Sequence, residues 1–414
     1  MNGLTAPPVS ALLRIAVRKN ERYEPANKDR RFGRPLAVVR TPLVVAETDP
    51  PPDNSAASQV ECSLAQIIAA PELSGYAVAP SARLPQSVGM STRRAQVLRL
   101  GRVARVAVGR YRLPDGRLTF VTHGENTTFR HDSAAGRHLV RVHRPQRHGR
   151  DVDSTAAIRS ELVWLEAIRA DTELAVPEPL SARDGASTVE VSAAGETRVC
   201  SVLRWMGGRI HEASARPVHL SRLGDAMARL HHQADAWRPP PQFVRIRWDH
   251  EAFFGDEMVY GVSSAAACWA LLPTEVRTRF EAVAARMVEI MGLDGDVGLI
   301  HSDLHLGNAL FHRGGVRLID FDDCGTGPRL YDLAVALWEL RERPDYSVFR
   351  KALLTGYGAL RNSDVTHLDD FIAARQVAFD LWYTGIAQVN PAFAARLADV
   401  HRWSLSMLDL VESR

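Results

Sequence analysis

A chain of 414 residues, 46% hydrophobic and 24% charged, is long enough for two lobes around a sizeable core and has neither a disordered nor a fibrous composition. Its formal net charge of +3 is small for that length and implies no general affinity for nucleic acid or for a membrane surface. No stretch approaches the ~20 apolar residues of a membrane span, and the apolar run Ala11–Val17 is short and carries Arg14, so no secretory signal is expected. Four cysteines, Cys62, Cys200, Cys268 and Cys324, follow neither disulfide nor zinc spacing, which favours reduced thiols in a cytoplasmic setting.

In chain order, residues 1–90 differ from the rest. Pro7-Pro8, Pro50-Pro51-Pro52 and scattered charges break any sustained period, so this stretch is expected to be a mostly disordered extension with at most a short helix near Leu64–Ala69. Met90, immediately before Ser91-Thr92-Arg93-Arg94, is the expected functional start. From there to residue 204 the pattern is that of a small nucleotide-binding lobe. A basic helix runs through Val97, Leu100, Val103 and Ala107; strands follow at Leu118–His123, from Thr128, and at Leu139–His143; a helix spans Ser160–Ala170; a further strand covers Val199–Trp205. Trp205-Met206-Gly207-Gly208 reads as a hinge where a nucleotide base sits, with Met206 beside it. Residues 205–414 are expected to be helical (218–236, 273–291, 329–340, 346–360, 364–387 and 391–411), interrupted only by a hairpin at 309–320.

That hairpin belongs to the most informative run of the chain, His301-Ser302-Asp303-Leu304-His305-Leu306-Gly307-Asn308, closed by Ile319-Asp320-Phe321-Asp322. Ala309-Leu310-Phe311 and Val316–Ile319 flank Arg313-Gly314-Gly315, which gives strand, glycine turn, strand. The turn places Asn308 and Asp320 at the open end on opposing strands, where cross-strand Cβ atoms are roughly 5 Å apart and both side chains reach one metal ion. Acid, amide, acid is the order in which a protein-kinase-like phosphotransferase arranges its base and its Mg²⁺ ligands. Asp303 is the candidate base; Asn308 and Asp320 are candidate Mg²⁺ ligands against the phosphates of ATP. Asp322 either touches a second metal or is solvated. His301 is expected to support the loop by packing and hydrogen bonding, and His305 and His312 to lie at the surface. A rival reading takes His301, Asp303 and His305 as the ligands of a metal-dependent hydrolase, but the helices after residue 328 supply no second ligand cluster.

With Leu318–Asp323, Gly327 and Tyr331-Asp332-Leu333-Ala334, these motifs resemble the aminoglycoside phosphotransferase/choline kinase family from about residue 95 onward. Within it, His123–Phe129 and Leu139–Pro145 are similar to the bacterial group of stress-response kinase A and the homoserine-kinase-like enzymes. The resemblance implies an α+β, bilobal protein-kinase-like fold. It places Arg141 at the cation position facing the α- and β-phosphates, with Arg130 and Arg144 as alternatives, and Glu161 as the helix acid that holds it. It also has Asp332 bracing the catalytic loop. The turn Gly124-Glu125-Asn126-Thr127-Thr128 stands in for a glycine-rich phosphate loop, and Asn126 and Thr127 are candidate phosphate contacts. The implied activity is transfer of the ATP γ-phosphate to a hydroxyl of a small molecule: aminoglycoside, amino alcohol, homoserine or sugar. A Ser/Thr protein kinase and an inactive nucleotide-binding scaffold are the alternatives. A cationic acceptor calls for an acidic, aromatic pocket; Asp369, Asp370, Asp380, Trp382 and Tyr383 are available, but at helical spacing they read as a solvated face and a core.

Overall fold

The computed structural model describes residues 93–145, 153–260, 263–292, 295–358 and 365–413, all within one contact unit. The expectations for residues 1–90 and for a start at Met90 lie outside the described residues.

Helix α1 (Arg93–Arg110) opens the first lobe and is followed by strands β1 (Gly116–His123), β2 (Thr127–Ser133) and β3 (Gly136–Val142). Helix α2 (Ser154–Asp171) and strands β4 (Thr188–Ala193) and β5 (Glu196–Arg204) complete it. The strands form one antiparallel sheet in the order β1-β2-β3-β5-β4. Leu100, Val103, Ala104 and Ala107 of α1 pack against Phe129, Val140, Val142, Val191 and Val202 on one face of this sheet. Side chains alternate between faces along a strand, so with Val140 and Val142 committed to that core, Arg141 projects from the opposite face. Helix α2 begins six residues before its sequence pattern suggests, because Asp153 Oδ1 caps the N–H groups of Thr155 and Ala156 at 2.8 and 3.1 Å. The strand β4 escapes the sequence pattern altogether; its pairing with β5 through the Ala194–Gly195 turn makes it visible only in three dimensions.

The second lobe holds α3 (Pro217–Ala236), β6 (Ile246–Arg247), α4 (His250–Phe254), β7 (Val259–Tyr260), β8 (Ser263–Ser264), α5 (Ala265–Leu271) and α6 (Thr274–Met291). Then come β9 (Val297–Ile300), a 3₁₀ turn at Leu306–Asn308, β10 (Ala309–His312), β11 (Gly315–Leu318) and β12 (Gly325–Pro328). It closes with α7 (Arg329–Trp338), α8 (Tyr346–Tyr357), α9 (Leu368–Ala387), α10 (Pro391–Ala394) and α11 (Leu397–Glu412). The 309–320 hairpin is therefore not the sole interruption of the helices. A three-stranded sheet β6-β12-β9 and the β7-β8 pair accompany it, and the expected 391–411 helix is divided in two. Strands of two to four residues carry too little periodicity to be read from sequence. In β12, Gly-Thr-Gly-Pro has no strand propensity of its own; the glycines admit neighbouring backbone, and a Cβ on Gly327 would sit 2.8 Å from Trp248 Cβ. Sheet β6-β12-β9 is what holds the catalytic segment, since β9 runs directly into His301 and β12 leaves from Cys324.

The two lobes are joined through residues 205–209. Trp205 N–H donates to Arg137 O at 3.0 Å, Arg317 donates to Gly207 O at 2.7 Å, and Arg209 exchanges backbone hydrogen bonds with Phe311 of β10. Gly208, at φ 153°, lies so close to β10 that a Cβ there would approach Leu310 Cβ to 2.8 Å. Met206 is half-buried between these anchors.

Candidate active site

The loop after β9 is held from below by a single carboxylate. Asp332, fully buried in the first turn of α7, accepts the His301 N–H at 2.9 Å (Oδ2) and the Ser302 N–H at 2.6 Å (Oδ1), and its Oδ2 meets His231 Nε2 at 2.9 Å. Burial alone would raise this carboxyl; the His231 hydrogen bond and charge, with His301, bring it below the usual carboxylate range. Ser302 takes φ 65° and donates its hydroxyl to Asp323 O at 2.5 Å. A non-glycine residue in the left-handed region costs of order 1–3 kcal/mol and persists where the surroundings over-determine it. Asp332 and Asp323 supply that constraint, and the backbone reversal presents Asp303 to the cleft.

His301 engages both ring nitrogens inside the loop. Nε2–H donates to Ile319 O at 3.0 Å, so Nδ1 is the acceptor for the Asp303 N–H at 3.3 Å. Its ring packs 4.5 Å from the Phe321 ring, which in turn meets Trp164 of α2. With both nitrogens spent, His301 takes no place in a His-Asp-His metal trio, and the hydrolase reading has no geometry behind it. His305 is also not at the surface: it is 2% exposed, with Nδ1 accepting the Gly307 N–H at 3.1 Å and Nε2 3.8 Å from Asp303 Oδ2. Burial lowers its pKa to about 4. Glu212, His305 and Glu339 bring ligand atoms within 4.8 Å of one another on this side of Asp303. Burial first, and Glu212 second, push the Glu339 carboxyl well up.

Asp303 is gripped on both oxygens. Asn308 Nδ2 donates to Oδ2 at 3.0 Å and to the Asp303 carbonyl at 2.8 Å; Arg375 Nη2 donates to Oδ1 at 2.5 Å. Burial raises the Asp303 carboxyl, opposed by Arg375 and His301 and reinforced by Asp323. The hairpin forms, but its register is offset by one residue from a turn centred on Gly314: Ala309 pairs with Leu318, and Ile319 N–H donates to Asn308 O at 3.0 Å, so Ile319 rather than Asp320 stands opposite Asn308. Asp320 follows at φ 66°, ψ 58°, so the carboxylate leaves the hairpin from a left-handed residue, with its side chain 44% exposed. Burial, then Asp303, Asp323 and Glu161, raise its carboxyl against the opposing pull of Arg141.

Across the cleft, Arg141 Nη1 pairs with Glu161 Oε1 at 2.7 Å, and its guanidinium also lies 3.4 Å from Asp322 and 4.0 Å from Asp320. Arg130 instead pairs with Asp132 at 2.9 Å and Arg144 pairs with Glu125, so neither takes the Arg141 position. Asp322, 6% exposed, is not solvated: Oδ1 faces Arg141 and Oδ2 accepts Asn126 Nδ2–H at 2.7 Å. In the turn, Gly124 N–H donates to Asn126 O at 3.0 Å, and the buried Thr127 hydroxyl lies 2.6 Å from His123 Nδ1. Burial, with Arg93 adding to it, lowers His123 to about 4.

The donor set fits a hard divalent cation. Asn308 Oδ1 is buried without a hydrogen-bond partner, while its Nδ2 is fully committed to Asp303. The Asp320 carboxylate makes no capping hydrogen bond beside it. An orphaned amide oxygen and a carboxylate crowded by other acids are the ligand types Mg²⁺ takes alongside phosphate and water.

Sequence reasoning missed two arginines of this site. Arg375 lies on α9, where helical spacing gave no reason to single it out. Arg245 donates to the carbonyls of Asp322 (2.6 Å), Cys324 (2.5 Å) and Ala157 (2.9 Å), tying the segment after the hairpin to α2. The acids proposed for a cationic acceptor are used elsewhere and are not a solvated face. Asp370 pairs with Arg286 at 2.7 Å, and the fully buried Asp380 is held by His401 at 2.9 Å and Ser404 at 2.5 Å.

Residues 118–368 match the model of the phosphotransferase enzyme family, and the chain belongs to that family. Over 285 residues it is 29% identical to an uncharacterized protein of Deinococcus radiodurans, covering 67% of this chain and 78% of that one. Among solved structures, a microcompartment-associated aminopropanol kinase superposes with a TM-score of 0.61 at 26% identity, over 75% of this chain and 96% of the other. The amicoumacin kinase hAmiN, solved with AMP-PNP, Ca²⁺ and Ami, gives 0.57 at 20% identity, over 72% and 90%. The protein-kinase-like α+β fold and a phosphotransferase activity toward a hydroxyl follow from this membership.

Proposed function

We propose that the chain is an ATP-dependent kinase for a small amine-bearing alcohol, with Asp303 as base and Mg²⁺ held by Asn308 and Asp320. The observation that carries the reading is the convergence of Asp303, Asn308 and Asp320 from one loop and hairpin on the Arg141–Glu161 pair of the other lobe. Phosphoryl transfer asks little covalent work of a protein; positioning and charge neutralisation dominate. Asp303 accepts or orients the proton of the attacking hydroxyl, Arg141 meets the phosphates, and Glu161 keeps Arg141 extended. The Gly124–Thr127 turn covers the phosphates, and the base lies by Met206. When bound, the cation neutralises charge on the phosphate oxygens.

The amine preference rests on two supports. Glu212 and Glu339 border the acceptor side of Asp303 around the neutral ring of His305. The relative at 26% identity is an aminopropanol kinase. A protein acceptor is disfavoured by the short passage from Asp323 through β12 into α7, which leaves little room there for a peptide-docking segment. Among the described residues no helix is long and apolar enough to cross a membrane, and a cytoplasmic setting completes the reading.

The test is ATP consumption by the purified chain with Mg²⁺ against amino alcohols, aminoglycosides, homoserine, sugars and a generic protein, with Asp303→Ala as control. Turnover on an amine-bearing alcohol that vanishes in the variant is the expected result. Phosphate incorporated only into protein, or an unaffected variant, contradicts it.

A further inference from the structure

We infer that Arg375 is a positioning residue for the candidate base: it fixes the rotation of the Asp303 carboxylate from the far side of the acceptor cleft. The inference rests on the phosphotransfer reading above and deepens it.

Arg375 sits on α9, 72 residues beyond Asp303, yet its Nη2 is 2.5 Å from Asp303 Oδ1, with the two side chains only 17% and 22% exposed. Its guanidinium lies over the Trp338 ring, 5.1 Å from the centroid, at the end of α7. The hydroxyl of Tyr331, from the same helix, adds to its electrostatic environment. Burial acts against its charge, but a guanidinium stays a cation throughout the physiological range, and Asp303 and Asp323 favour that charge. Planar stacking on an indole and a directed N–H on a carboxylate are what arginine does and lysine does not.

The geometry separates a positioning role from a simple ion pair. The terminal torsion of an aspartate is broad and roughly two-fold, so a carboxylate held on one oxygen still swings. Asn308 holds Oδ2 from within the loop, five residues away; Arg375 holds Oδ1 from an independent helix. Two donors on the two oxygens define the carboxylate plane and leave the second lone pair of each oxygen for the incoming hydroxyl. A base works only within about 2.6–3.2 Å of the proton it takes. Losing one anchor keeps the base present but displaces it.

The experiment is steady-state kinetics of Arg375→Met, Arg375→Lys, Arg375→Ala and Asp303→Ala with ATP, Mg²⁺ and aminopropanol as the acceptor. Arg375→Met is expected to lower kcat by about 10- to 100-fold, the scale of a misplacement near 1 Å, while KM for ATP stays within about threefold. Arg375→Lys is expected to recover part of the loss, and added ethylguanidine to restore part of the activity of Arg375→Ala.

Wild-type kcat in Arg375→Met overturns the inference, as does a failure of both Arg375→Lys and added ethylguanidine to recover any of the loss. A loss confined to KM of the acceptor overturns it too, making Arg375 an acceptor ligand. If Arg375→Met does not fold, the Lys variant decides by the same criteria. Full activity in Asp303→Ala would instead sink the assignment of the base, which keeps the two failures distinguishable.

Discussion

The indole N–H of Trp382 reaches across the cleft to Glu125 Oε1 at 2.6 Å, a bond between the second lobe's α9 and the turn that stands in for a phosphate loop. Trp382 lies seven residues beyond Arg375, two turns along one helix face. Helix α9 therefore touches both the candidate base and the candidate phosphate turn. Glu125 is held in place by its ion pair with Arg144.

This bond predicts coupling. Trp382→Phe keeps the ring and removes the donor, so KM for ATP should rise about ten- to a hundredfold, the worth of roughly one hydrogen bond to a charged group. Glu125→Ala should do the same, and the double variant should be no worse than either single one. Additive effects measured by initial rates at varied ATP would show that the two residues act separately.

Asp332 makes a prediction about stability and its pH dependence. Asp332→Asn keeps one acceptor oxygen but replaces the other with an NH2 donor, so His231 Nε2 and the His301 N–H, which share Oδ2, lose their acceptor, at a cost of about 1–3 kcal/mol per stranded donor. The sign of the pH effect follows from a depressed folded-state pKa: the carboxylate's contribution is fully present above its ordinary value of 3.8 and is lost as pH falls through the lower folded value. Urea midpoints of wild type and Asp332→Asn should therefore differ most at pH 6–7 and converge below about pH 4. A gap that is constant with pH would show that packing, not charge, is what the variant loses.

Arg141 tests the other lobe. Glu161 is fully buried, and Arg141→Met removes the cation 2.7 Å from its Oε1, which should destabilise the protein by about 3–5 kcal/mol. Arg141→Lys keeps the charge but loses the fork that spans Glu161, Asp322 and Asp320 at once. Its melting temperature should stay within a few degrees of wild type, while kcat/KM for ATP falls about tenfold or more. Equal kcat/KM in the Lys variant would mean that the arginine serves the fold alone.

How far the sequence carried these arguments depends on separation along the chain. The hairpin and its flanking groups occupy twenty residues, from His301 to Asp320, and local turn chemistry with alternating apolar positions disclosed the hairpin, though its pairing is offset by one residue from a turn centred on Gly314. Long helices such as α3, α6 and α9 announced themselves through apolar spacing. The two- to four-residue strands β6, β9 and β12 did not, because the backbone around Trp248 imposes their pairing. The polarity of single residues misled in three places. His305, Asp370 and Asp380 look like surface residues by type but are buried among partners 2 to 84 positions away.

The sequence by itself determined the family, the order of the candidate catalytic groups and the hairpin that carries Asn308 and Asp320 at its open end, because all of that is written in contiguous residues. Only the tertiary structure decided which cations meet which acids. Arg375 reaches Asp303 across 72 residues, Arg245 ties Cys324 across 79, and Asn126 meets Asp322 across 196. Such pairs leave no period or spacing in the chain; they exist because packed helices and a sheet bring distant side chains into one buried cleft, where an unpaired charge is too costly to leave alone.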